Sequence, residues 1–226
     1  MKFNLDLLIN WSETLCLLIP LYVIRRFRPW GPAMKLIIRY VIIAFIINFL
    51  SNTVAELWHR LPPYINNNVL YNLHSIVRVY FLSTFLLQTK QLLFRKFLVV
   101  LGIMYALFVI INFTFLQNPL ILSNTLLSAE SIVLLTFSLS FVLGIMLDDS
   151  KINWLQQPAL FIGTGILLYE TINFFSFLFY YLIEKISAVF LDNVLTAHNI
   201  VYVIFCIFLA VALKLQHKNV EQMSTT

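Results

Sequence analysis

Seven long apolar stretches, at roughly 5–24, 36–57, 69–89, 97–116, 121–147, 155–183 and 190–214, occupy most of this 226-residue chain. A helix needs about 20 apolar residues to cross the ~30 Å hydrocarbon core of a bilayer, so the chain holds seven such crossings and little else. A membrane β-barrel would show ~10-residue alternating segments, whereas Val41–Leu50 and Ile132–Leu147 run almost without polar interruption. Composition agrees: 61% of the residues are hydrophobic and 11% charged, with a mean hydropathy of +0.88. Soluble domains carry ~25% charge. No stretch between spans reaches the ~50 residues that a soluble module needs, which excludes kinase, nucleotide-binding and nucleic-acid-binding domains. The expected fold is a single all-α, seven-transmembrane-helix domain over 1–226. The fifth and sixth stretches exceed a bilayer's needs and imply tilt or extension.

Lysine and arginine set the expected orientation. Arg25, Arg26, Arg28, Lys35, Arg39, Lys90, Arg95, Lys96, Lys151, Lys214 and Lys218 fall on one side, and Lys2, Arg60 and Lys185 on the other, with Arg78 inside a span. The positive-inside rule then puts the N-terminus outside and the C-terminus in the cytoplasm. Basic loops facing anionic lipid account for the net charge of +5 without nucleic acid. Met1-Lys2 before an apolar run resembles a signal peptide, but Asp6 interrupts the start and the stronger positive cluster follows the run. The segment is read as an uncleaved first helix. Cys16 and Cys206 lie inside spans and read as isolated apolar thiols. Loops are marked at Pro29-Trp30-Gly31-Pro32, Leu61-Pro62-Pro63 with Asn66-Asn67-Asn68, and Gln117-Asn118-Pro119. Gly102 with Ala106, and Ala159 with Gly163, are four-apart small pairs that permit close helix approach.

Ionisable groups are costly in a bilayer, about 2.5–3.5 kcal/mol each on insertion scales, so each needs a partner, a wet cavity or a function. Glu13 lies in the first span; Asn48, Asn52 and Glu56 repeat every four residues in the second; His74 and Arg78 share a face of the third. Glu130 lies in the fifth span near Asn124, Ser128 and Ser131, Glu170 and Asn173 in the sixth, and His198, Asn199 and Tyr202 in the seventh. With the assigned orientation nearly all map to the outer half or the midplane. That asymmetry implies a polar cavity open to the exterior, lined by spans 1, 2, 3, 5, 6 and 7. Its candidate ligand-binding residues are Glu13, Asn52, Glu56, His74, Arg78, Glu130, Glu170, Asn173, His198 and Tyr202. The structural alternatives are an Arg78 ion pair with Glu130 or Glu170, interfacial placement of Glu56, and plain interhelical bonding by Asn199 and Tyr202.

The same residues test specific chemistries. Retinal is excluded because the only lysine of the last span, Lys214, sits at its cytoplasmic end. Aspartyl proteolysis fails because Asp6, Asp192 and Asp148-Asp149 lie at helix ends or in loops, and no motif supports a serine nucleophile. His74, Glu130 and His198 offer an alternative: two imidazoles and a carboxylate holding zinc, as in a membrane-embedded metal-dependent lipid hydrolase. A bis-histidine haem is disfavoured by the bulky neighbours. Transport is a third reading, with Pro20 and Gly163-Thr164-Gly165 as possible helix breaks.

Leu73-His74 through Tyr80-Phe81, Ala129-Glu130-Ser131, Gly163-x-Gly165-Ile166-Leu167-x-Tyr169 and His198-Asn199 resemble an uncharacterised family of bacterial seven-transmembrane-helix inner-membrane proteins. Members often lie beside genes for sensor histidine kinases, so the resemblance implies a multi-pass inner-membrane location and a histidine kinase or similar membrane signalling partner. Tyr80 stands where that family tends to carry glutamate. The combined expectation is a sensor or accessory signalling protein that binds a small ligand or ion, favoured over an enzyme.

Overall fold

The computed structural model describes residues 5–27, 30–57, 66–148, 156–180, 185 and 187–225. They form helices α1 (Leu5–Cys16), α2 (Leu18–Arg26), α3 (Pro32–Leu57), α4 (Asn68–Leu87), α5 (Arg95–Ile111), α6 (Asn124–Met146), α7 (Pro158–Leu178) and α8 (Ala188–Thr225), with no strand among the described residues. A π-helical turn, Asn112–Leu116, closes α5. Six of these segments, α3, α4, α5 with its π turn, α6, α7 and α8, are long and apolar enough to cross a membrane. The fold is thus all-helical and suited to a multi-pass membrane protein. Leu61-Pro62-Pro63, Lys2, Arg28, Pro29, Arg60, Asp149 and Lys151 of the sequence reading lie outside the described residues.

The predicted first span is the main departure. It is two helices of 12 and 9 residues, ~18 and ~14 Å long at 1.5 Å per residue, each too short to cross alone. Pro20 is the cause: it has no N–H to bond the carbonyl of Cys16, and its ring crowds that carbonyl. The helical hydrogen bonding resumes with Leu21 N donating to Leu17 O at 3.2 Å. Other boundaries shift less. Among the described residues the sixth predicted span contains α7 over Pro158–Leu178, started by a proline in the first turn. The last does not end near 214: α8 continues for 38 residues.

Around the bundle α3 packs on α4, α4 on α6, α6 on α7, α7 on α8, and α8 on α1 and α2, which return to α3. These elements close a ring. α5 lies outside it, packed chiefly on α6, with Val100, Ile103, Met104, Leu107 and Ile110 exposed as a lipid-type surface. α7 achieves its close fit through glycine. A Cβ on Gly163 would enter the Phe141 ring of α6, and one on Gly165 would press Phe205 and Phe208 of α8. Gly163-Thr164-Gly165 is therefore a packing face in an unbroken helix, not a break. Gly144 likewise lets the Gln91 carbonyl touch α6. Gly102 has nothing near it, so the Gly102/Ala106 pair brings no helices together.

The ring is filled unevenly. Toward the end where α2 finishes and α3 starts, the core is Ile37, Tyr40, Leu86, Phe137, Phe141, Phe205, Leu209 and Leu213. Toward the end where α1 starts it is polar: Asn48, Asn72, His74, Arg78, Glu130, Glu170 and Asn173 are all buried.

Candidate functional site

Three layers build the polar half. The first is a zipper along α3. Asn48 Nδ2 donates to Tyr202 Oη (3.3 Å), Asn52 Nδ2 to Thr14 Oγ1 (3.0 Å), and Trp11 Nε1 to Glu56 Oε1 (2.5 Å). The four-residue spacing aligns Asn48, Asn52 and Glu56 on one face, which joins α3 to α8 and α1. Tyr202 thus serves interhelical bonding, and Glu56, although exposed, is held by Trp11.

The second layer centres on Arg78. Its Nη1 lies 3.2 Å from Glu130 Oε1 and 3.7 Å from Glu170 Oε1, and donates to Tyr169 Oη at 3.0 Å. The guanidinium carbon stands 4.9 Å from the Tyr169 ring centroid. Glu170 Oε2 accepts from Ser131 Oγ at 2.8 Å. Glu130 and Glu170 are 1% and 0% exposed and Arg78 7%, so one cation is shared by two carboxylates in a medium that screens them weakly. Arg78 Nη2 also faces His74 Nδ1 at 3.4 Å. Arginine only donates, so Nδ1 accepts and the His74 proton is on Nε2. That nitrogen, like Arg78 Nε, is buried and has no protein partner.

The third layer pairs α1 with α7 and α8. His198 Nδ1 donates to Asn173 Oδ1 at 2.6 Å, and Nε2 meets Glu13 Oε1 at 2.9 Å. Tyr169 and Phe177 flank the imidazole, with centroids 5.5 and 5.9 Å away. Below it, Cys16 Sγ sits 3.1 Å from Cys206 Sγ. The two thiols are a buried pair across α1 and α8, not the isolated residues the sequence suggested.

Between these layers lies a cavity of about 750 Å³, within the ~300–1,000 Å³ typical of small-molecule sites. Glu13, Asn52, Glu56, His74, Arg78 and His198 line it; Glu130 and Glu170 back Arg78, while Asn173 and Tyr202 stand behind the wall. All six expected elements contribute and α5 does not. Trp11, Tyr71, Tyr169, Phe177 and Asp192 also line it and were not among the candidates. Tyr169 was readable: it lies four residues before Asn173, on the same helical face. Tyr71 precedes His74 by three. Nothing in local spacing marks Trp11 or Asp192.

His74, Glu130 and His198 do not form a coordination group. Arg78 intervenes between His74 and Glu130, and His198 is engaged by Glu13 and Asn173. Among the described residues no three His, Cys, Asp or Glu side chains gather to hold a metal. Before the start of α6, Asn72 Nδ2 donates to Pro119 O and Ile121 O, and its Oδ1 accepts from Ser123 N. Ser123 in turn caps α6 by accepting from Leu126 N at 3.2 Å. Compared with known proteins, the chain matches no protein-family model, no curated protein and no solved structure.

Proposed function

We propose that this protein is a receptor-like bacterial inner-membrane protein that binds a small ligand in an outward-open cavity and passes occupancy to a membrane signalling partner such as a histidine kinase. The observation that carries the reading is the cavity, with His74 and Arg78 in its lining, where two buried N–H groups, His74 Nε2 and Arg78 Nε, have no protein acceptor. Unmet donors cost ~1–3 kcal/mol each in a dry site, and a ligand oxygen would satisfy them. In this reading α1 and α2 together form a seventh crossing through the Pro20 kink. The lysine and arginine distribution supports an exterior N-terminus and, with it, a cavity mouth that opens outside at the α1 end. The family resemblance supports the signalling partner.

Purified protein in nanodiscs should show saturable small-molecule binding that is weakened in folded His74→Ala, with neither substrate turnover nor uptake of the molecule in proteoliposomes. Uptake or turnover would replace the receptor reading with a transporter or an enzyme. Impermeant labelling of a cysteine introduced at Asn66 from the cytoplasmic side alone would overturn the orientation.

A further inference from the structure

The charges around the cavity do not balance. Glu13, Glu56 and Asp192 line it, and Glu130 and Glu170 lie directly behind Arg78. Against these five carboxyls the described residues of the lining supply only Arg78, His74 and His198 as basic groups. Arg78 offsets one carboxylate, and His198 is matched to Glu13. His74 accepts from Arg78 and is neutral. Even with the surplus buried carboxyl protonated, Glu56 and Asp192 are two carboxylates that no base of the described lining offsets.

Three further observations narrow what such a lining would hold. No metal-type cluster exists among the described residues, which argues against a directly coordinated inorganic ion. Trp11, Tyr71, Phe177 and Tyr180 stand on the walls beside the acids, and aromatic faces favour organic cations. The inner end has the opposite need: His74 lines the cavity, is 2% exposed, and has a buried Nε2–H without a protein acceptor. Donors at the inner end and acids with aromatics at the mouth define a ligand with two unlike ends.

We infer that the cavity takes an organic ammonium compound carrying an uncharged oxygen acceptor, with the acceptor directed to His74 and the cation held near Glu56 and Asp192. This inference rests on the small-molecule binding reading and specifies its ligand class. Acetylcholine, its neutral carbon isostere 3,3-dimethylbutyl acetate, and the anion 4-acetoxybutanoate share an ester acceptor and separate the charges.

Titration calorimetry on the full chain in nanodiscs should show acetylcholine binding at least tenfold more tightly than the isostere, with 4-acetoxybutanoate weakest. Glu56→Gln with Asp192→Asn should weaken acetylcholine about tenfold and leave the isostere unchanged; the glutamine retains an acceptor for Trp11. His74→Ala, checked for folding by thermal melting, should weaken both by a similar factor. Isostere or anion binding as tight as acetylcholine would overturn the ligand class and leave the receptor reading standing. Absence of binding by all three to folded protein would overturn both.

Discussion

Removing Arg78 tests whether it is the electrostatic keystone of the bundle. At an effective dielectric of ~20, the contacts at 3.2 and 3.7 Å are worth about 5 and about 4.5 kcal/mol of attraction. Mutual repulsion of the carboxylates and the desolvation of all three groups offset most of this. The asymmetry between variants is more informative than the gross sum. Arg78→Ala leaves two carboxyls, at 1% and 0% exposure, without a cation, an arrangement that costs ~3–5 kcal/mol. For a chain of this size that lowers the melting temperature by on the order of 10 °C. Glu130→Gln or Glu170→Gln alone instead leaves a one-to-one ion pair and should shift melting by only a few degrees in either direction. The double glutamine variant strands the arginine and should fall by about as much as Arg78→Ala. A thiol-reactive dye that fluoresces on reaction reports this directly, because Cys16 and Cys206 are buried and become reactive only on unfolding. Melting of Arg78→Ala within ~2 °C of the parent, or additive losses from the two glutamines, would refute the shared-cation account.

Copper–phenanthroline should oxidise Cys16 and Cys206 to an intramolecular disulfide, given their 3.1 Å Sγ separation; protection of the denatured protein from maleimide, absent in either serine variant, reads it out. Gly144→Ala should cost ~1–3 kcal/mol by forcing the Gln91 carbonyl aside, while Gly102→Ala should stay within ~0.5 kcal/mol, both measured by thermal melting. Asn72→Leu removes the anchor of the 117–123 connection and should accelerate amide hydrogen exchange there while leaving exchange in α3 unchanged.

What the sequence made legible, and what it did not, divides along physical lines. Apolar length alone located α3 to α8, because a bilayer's thickness leaves few ways to satisfy a backbone. Helical spacing placed Asn48, Asn52 and Glu56 on one face, and His74 above Arg78. It could not say which helix each would meet, since that depends on ring closure over separations such as the 185 residues between Glu13 and His198. Whether Arg78 would take Glu130 or Glu170 was undecidable from one dimension, and the answer is both. For the zinc reading too, types and depths matched, but among the described residues Arg78 contacts both His74 and Glu130 and the three candidates do not gather. Pro20 was recognised as a break, yet its effect, two short helices in place of one span, follows from the carbonyl it leaves unbonded. Gly163 and Gly165 were ambiguous because a small residue permits either a bend or a close neighbour, and only Phe141, Phe205 and Phe208 decide between them.

The length of α8 has a mechanical meaning. Its 38 residues measure ~57 Å, and His198 stands eleven positions into it, with ~40 Å of helix on the side away from the cavity. A rotation of ~5° pivoting at His198 would displace the far end by about 3.5 Å. That is more than the 2.9 Å between His198 and Glu13. The helix is a long-armed pointer whose short arm forms part of the cavity wall.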